Sequence, residues 1–125
     1  MTENDIARVI LDCAFRVHRA LGPGLLVNAY EACLFFELNL QGFQVEKQKP
    51  LPLIYREMEL DLGYRVDLMV ENKVIVEIKS VKELTDIHLA QILTYLRLSS
   101  CKLGLLINFN VSMLKDGIKR VVNNL

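Results

Sequence analysis

The fold class that this chain predicts is α/β, with a central mixed sheet flanked by helices, in one domain spanning residues 1–125. Three observations predict it. Apolar residues recur at helical spacing through the N-terminal third and again after Leu84. Between these stretches lie short β-branched runs that alternate or are apolar throughout. A further apolar run after the third helical stretch adds a strand, so helices flank the strands in sequence on both sides.

In the first element, Ile6, Val9, Ile10, Cys13, Val17 and Leu21 fall at helical spacing, and Asn4 or Asp5 is suited to cap the helix. Gly22-Pro23-Gly24 ends it, because proline cannot continue the ladder and glycine accepts a left-handed cap. A second helix is predicted from about Leu26 to Gln41, with Tyr30, Cys33, Leu34 and Leu38 on its apolar stripe. Phe43–Lys47 alternates weakly. Leu51–Tyr55 is apolar, and Pro52 makes it an edge or a strand start. Arg56-Glu57-Met58 reads as a turn. Leu60–Val70 alternates, Glu71-Asn72-Lys73 is a short polar loop, and Val74–Lys79 is dense in β-branched residues, which together suggest a hairpin. A third helix is predicted over Leu84–Leu98, a buried strand over Leu103–Phe109 and a closing helix over Met113–Val122. The expected order is ααβββ(β)αβα.

Hydrophobic residues make up 52% of the chain, enough for a substantial core. The 15 basic and 15 acidic residues cancel, so any nucleic-acid contact needs a local basic patch rather than a bulk positive charge. Cys13, Cys33 and Cys101 form no paired spacing, which fits a reducing compartment, and Cys13 and Cys33 read as small core residues of helical segments. The N-terminus has no signal-peptide pattern and no apolar run spans a bilayer, so a cytoplasmic protein without membrane attachment is expected.

The chemistry concentrates in the Tyr64–Lys79 hairpin. If Val70 pairs with Val74 across the three-residue loop, Asp67 stands opposite Glu77. Their Cβ atoms then lie ~4.5–5.5 Å apart on one sheet face. Lys79 shares that face with Glu77, and Arg65 shares it with Asp67. The other face is expected to be wholly apolar: Val66, Leu68, Val70, Val74, Val76 and Ile78. Opposed carboxylates repel unless a cation sits between them. A hard divalent ion answers that need, since Mg²⁺ takes one or two carboxylates with phosphate oxygens and water. Lys79 can then stabilise charge on a phosphate or orient a water. The bland alternative, a surface ion pair between Glu77 and Lys79, conflicts with a strand this apolar.

Asp67, followed after nine residues by Glu77-Ile78-Lys79, resembles the D-(x)n-E-x-K motif of the PD-(D/E)XK nucleases. The order helix, three strands, helix, strand is similar to the core of that superfamily. His18-Arg19-Ala20-Leu21-Gly22-Pro23-Gly24 with Tyr30-Glu31 resembles the small bacterial and archaeal GxxExxY proteins. So do Gly63–Leu68, Glu77–Val81, Gln91–Leu98 and Gly104–Asn110. Gln91-Ile92-Leu93-Thr94-Tyr95 fits the Q-x-x-x-Y helix motif of the exonuclease-like branch. The resemblance implies a restriction-endonuclease-like core of prokaryotic type and a Mg²⁺ or Mn²⁺ site held by Asp67, Glu77 and the Ile78 backbone carbonyl. It implies catalytic roles for Lys79, Gln91 and Tyr95, and DNA rather than RNA as the nucleic-acid partner. The oligomeric state stays open, a homodimer included. The chain departs from the signature at Val27, where GxxExxY has its glutamate. Glu31 lies four residues on, ~5.4 Å along the same helix face, and is the candidate replacement ligand. Without a replacement, the chain reads instead as a weak or inactive nuclease-fold module that binds nucleic acid or a protein.

His88, Gln91 and Tyr95 form one helical stripe. The resemblance turns that stripe toward the site, with His88 at its edge as a substrate contact; ordinary packing is the alternative. His18 belongs to no zinc-ligand spacing, and a packed helix residue competes with a phosphate contact. Arg65 is a further substrate-binding candidate. Lys47, Lys49, Arg56, Lys73 and Lys82 are candidate backbone contacts or scattered surface charges.

Overall fold

The computed structural model describes residues 1–125. Helix α1 covers Glu3–Leu21 and starts on a capping box in which Thr2, rather than Asn4 or Asp5, is the N-cap. Asp5 is the third helical residue, and its carboxylate reaches back to the Thr2 N–H. Gly22, at φ 67°, closes the helix by donating its N–H to the His18 carbonyl. Helix α2 covers Val27–Leu40 and buries Tyr30, Leu34 and Leu38.

Strands β1 (Val45–Pro50), β4 (Arg65–Val70), β5 (Val74–Lys79), β6 (Leu103–Asn108) and β7 (Ile118–Val122) form a five-stranded sheet in the order β1-β4-β5-β6-β7. Only the β5–β6 pair is parallel, and its crossover is helix α3 (Asp86–Ser99). The sheet is therefore mixed and flanked by helices. On one face it packs with α1 and α2 around Ile10, Leu34, Leu68, Val76, Leu105 and Phe109. On the other face α3 packs Ile92, Tyr95 and Leu96 against Met69, Ile75 and Leu106. Gly104 permits that contact, since a Cβ there would lie 2.9 Å from Ile92 Cδ1. No helix is long and apolar enough to cross a membrane. All three cysteines are free.

The 60–70 stretch is two strands rather than one. Met58–Leu60 (β3) pairs with Leu53–Tyr55 (β2) in a separate small hairpin turned at Arg56, and a loop through Gly63, at φ 82°, leads into β4. The predicted closing helix over 113–122 does not form. A 3-10 turn at Leu114–Gly117 precedes β7, which pairs antiparallel with β6. Two forces decide against the helix. Every residue of β6 is buried, so an unpaired edge there would strand its backbone groups. Ile118, Val121 and Val122 are β-branched. Gly117 fixes the turn, because a Cβ there would run into the Asn108 carbonyl.

The apolar face of the hairpin is also interrupted. Leu68, Val70, Val74, Val76 and Ile78 pack with α1 and α2 as the alternation requires. Val66 instead packs among the α3-side residues, with Leu51 and Met69. The alternation of β4 breaks at Asp67.

Candidate functional site

The β4–β5 ladder has the register set by its three-residue loop: Val70 faces Val74, Met69 faces Ile75 and Leu68 faces Val76. Beyond Leu68 the backbones stop pairing and two side chains take over. The Asp67 N–H donates to Glu77 Oε2 at 2.8 Å, and the Ile78 N–H donates to Asp67 Oδ2 at 2.8 Å. The strands thus splay at one end, each held by the carboxylate of the other. These bonds satisfy two backbone donors that splaying would leave bare. They also leave Asp67 Oδ1 and Glu77 Oε1 without a backbone donor.

Glu77 is buried, with only 4% of its surface exposed. Burial first, and the neighbouring Asp67 carboxylate second, push its carboxyl up to about 8; the Asp67 N–H and the Lys79 ammonium oppose that rise. A carboxyl in this condition is short of positive charge. Lys79 follows on β5 and donates from Nζ to Gln91 Oε1 at 3.3 Å. Gln91 in turn donates from Nε2 to the Tyr95 hydroxyl at 3.2 Å. Burial, followed by the charge of Glu77, raises the Tyr95 phenol above its ordinary range, so it stays a neutral donor and acceptor. Tyr64 leans on Tyr95 with ring centroids 6.3 Å apart.

From the other side, α2 brings in Glu31 through Gln48 of β1. The Gln48 amide donates to both Glu31 oxygens, at 3.1 and 3.3 Å, and to Asp67 Oδ1 at 3.2 Å. Gln48 drew no attention in the sequence. The signal that could have found it is its place in register opposite Asp67, legible only once β1 is paired with β4. Val27, one turn before Glu31, packs half-buried against the core.

Asp67, Glu77, Lys79, Gln91 and Tyr95 are thus brought together, with Glu31 joined through Gln48. Other candidates lie elsewhere or are otherwise engaged. His18 is buried, and its Nε2 donates to the Val111 carbonyl at 2.8 Å; it holds the segment after β6 rather than a phosphate. The same motif locks the turn between the first two helices. The Tyr30 hydroxyl donates to the Gly22 carbonyl at 2.6 Å and accepts from the Leu25 N–H, while its ring stacks on Phe109 at 4.6 Å. His88 caps α3, accepting the Thr85 N–H on Nδ1. Arg65 is exposed at the start of β4, where its backbone pairs with Pro50. Lys47 lies over the Phe35 ring, Lys49 binds Glu46 and Asn72, and Lys73 binds the Met1 carbonyl. Arg56 lies near the Tyr55 ring and Lys82 lines a hollow with Lys119.

The donors available to an ion are carboxylate and carbonyl oxygens. That set suits a hard cation such as Mg²⁺ or Mn²⁺ and does not suit a soft one. No three His, Cys, Asp or Glu side chains converge closely enough to enclose an ion among themselves. An ion here would draw two side-chain carboxylates and complete its shell with backbone, water or phosphate oxygens, the usual habit of Mg²⁺.

Comparison with known proteins agrees with the strand geometry. A family model described as the PD-(D/E)XK nuclease superfamily matches residues 4–121. Searches among curated proteins and among solved structures found no match.

Proposed function

This chain belongs to the PD-(D/E)XK nuclease superfamily, and from that premise we propose that it is a Mg²⁺- or Mn²⁺-dependent nuclease acting on DNA, of the GxxExxY type. The superfamily itself points to nuclease-type hydrolysis of a phosphodiester in a nucleic acid. The observation that carries the finer reading is the splayed end of β4–β5, where two carboxylates tie down each other's backbones. Such an arrangement leaves a buried acid with too little positive charge beside it.

Asp67 and Glu77 would hold the ion, with the Ile78 carbonyl as a further donor. When bound, the ion supplies positive charge to a phosphoryl oxygen and lowers the pKa of a water. The protein's own groups do the rest. Lys79, two residues beyond Glu77 on the same face of β5, would use its ammonium to stabilise negative charge growing on the phosphate. Gln91 keeps that ammonium in place through its Oε1, and Tyr95 fixes Gln91 in turn. The hydrogen-bonded row Lys79–Gln91–Tyr95 holds the amine without a competing carboxylate partner, so its charge stays available to substrate.

The test is cleavage of single- and double-stranded DNA with Mg²⁺ or Mn²⁺, by wild type and Lys79→Ala. Metal-dependent cleavage that falls by about 10²–10³-fold in the variant is the expected result. A wild type that binds Mn²⁺ but cleaves neither substrate favours the second reading, a non-catalytic nuclease-fold module. That reading has one observation of its own: Val27 stands where the GxxExxY signature has an acid.

A further inference from the structure

Gln48 spans the gap between α2 and β4, and its backbone is held in a conformation that glutamine does not favour. Its φ is 50° in the middle of β1. In that region the Cβ of an L-residue crowds the following carbonyl. The same residue interrupts pairing. Strands β1 and β4 match at Lys47–Leu68 and again at Lys49–Val66, with Gln48 and Asp67 left out of the ladder between them.

The side chain shows what this strain achieves. Its Nε2 lies 3.1 and 3.3 Å from the two Glu31 oxygens and 3.2 Å from Asp67 Oδ1. An amide has two N–H donors, and here both serve carboxylates belonging to two different elements. An exposed glutamine could satisfy the same donors with water in a relaxed conformation.

We infer that Gln48 is a positioning residue: its amide fixes the orientation of the Asp67 carboxylate and is itself anchored by Glu31 on α2, so that the helix acid acts on the metal-binding pair through Gln48. The inference rests on the reading of Asp67 and Glu77 as ligands of a divalent ion. It is compatible with that role for Asp67. An ionised carboxylate offers about four lone-pair sites, and the Ile78 N–H and the Gln48 amide occupy only two of them. Hydrogen-bond partners of ligating groups fix their orientation, and losing one typically lowers metal affinity by about 10–100-fold.

Gln48→Asn separates the side chain's task from the backbone's. Asparagine accepts a positive φ more readily than glutamine, yet it is one methylene too short to reach both acids. The variant should melt within a few degrees of wild type and bind Mn²⁺ about tenfold or more weakly in calorimetric titration. Glu31→Gln should weaken Mn²⁺ binding in the wild-type background and add nothing in Gln48→Asn. In the metal-free protein, the Gln48 side-chain amide signals in a ¹H–¹⁵N spectrum should move on Glu31→Gln and also on Asp67→Asn. Equal Mn²⁺ affinity of Gln48→Asn and wild type overturns the inference and leaves the metal-site reading standing. Amide signals that respond to neither acid overturn it as well. A wild type that does not bind Mn²⁺ overturns both.

Discussion

The two ends of the β4–β5 hairpin are built from the same strands and obey different rules. At the turn end, Leu68–Val70 and Val74–Val76 pair backbone to backbone and bury aliphatic side chains on both faces. At the open end the backbones part, and Asp67 and Glu77 bond each other's chains with carboxylate oxygens. The first arrangement maximises burial and leaves no polar group unsatisfied. The second keeps two acids together, Glu77 buried and Asp67 half-buried, a costly placement for stability alone. The contrast locates where the fold gives up stability, and such sites are where function is expected.

The largest expected effect separates the two ends directly. Leu68→Ala, at the paired end, should cost about 2–5 kcal/mol in urea unfolding, because Leu68 is fully buried in the helix-side core. Asp67→Asn, one residue away, should leave the metal-free protein as stable as wild type or more so, since it keeps the hydrogen bond to Ile78 and removes a repelling charge. A comparable loss in both variants would dissolve the contrast.

Next comes pH. Glu77 sits near 8 in the folded chain against an ordinary 4.5, so the folded state holds its proton more tightly than the unfolded state. This contribution is complete below about pH 4.5 and disappears as pH rises through about 8. Metal-free wild type should therefore lose roughly a few kcal/mol between those limits. Glu77→Gln should remove that component of the slope and be the more stable of the two at pH 8. A Glu77→Gln profile that still parallels wild type would show that Glu77 is already ionised.

Metal addition sharpens the same point from the other side. An ion that binds only the folded chain, present at about 100 times its Kd, adds about 2.7 kcal/mol. Mn²⁺ should thus raise the melting temperature at pH 8 by several degrees, and Asp67→Asn should blunt the rise. Absence of a shift in wild type at millimolar Mn²⁺ would remove the ion from the open end.

The smallest effect concerns the helix position. Val27→Glu should raise Mn²⁺ affinity by a few-fold and cost about 1–3 kcal/mol without metal, because Val27 packs half-buried against the core. Titration beside circular dichroism, at matched folding, checks both numbers. Unchanged affinity would mean that position 27 does not face the ion.

Much of this was legible in the chain because its causes are local. Helical spacing of Ile6, Ile10, Cys13 and Val17 sets which side of α1 is buried, and those residues are in the core. The short Glu71-Asn72-Lys73 loop sets the hairpin register, and strand periodicity then brings Asp67, Glu77 and Lys79 together at one end. The Gln91–Tyr95 pair follows from the spacing of one helical turn. The rest depended on partners distant in sequence. Residues 113–122 contain a helical-looking pattern, and the open edge of β6 made a strand of its second half. His18 looked available until the chain after Phe109 folded back to give its ring nitrogen a carbonyl. Val66 alternates correctly in sequence, but the splay at Asp67 sends it to the α3 side. Gln48 is an unremarked polar residue until β1 docks beside β4 and places it between Glu31 and Asp67. Periodicity and loop length are properties of neighbouring residues, so the sequence by itself determined the fold class and the Asp67–Glu77–Lys79 group. Edge pairing, strand splay and the bridge from α2 are contacts across the sheet, and only the tertiary structure decided them.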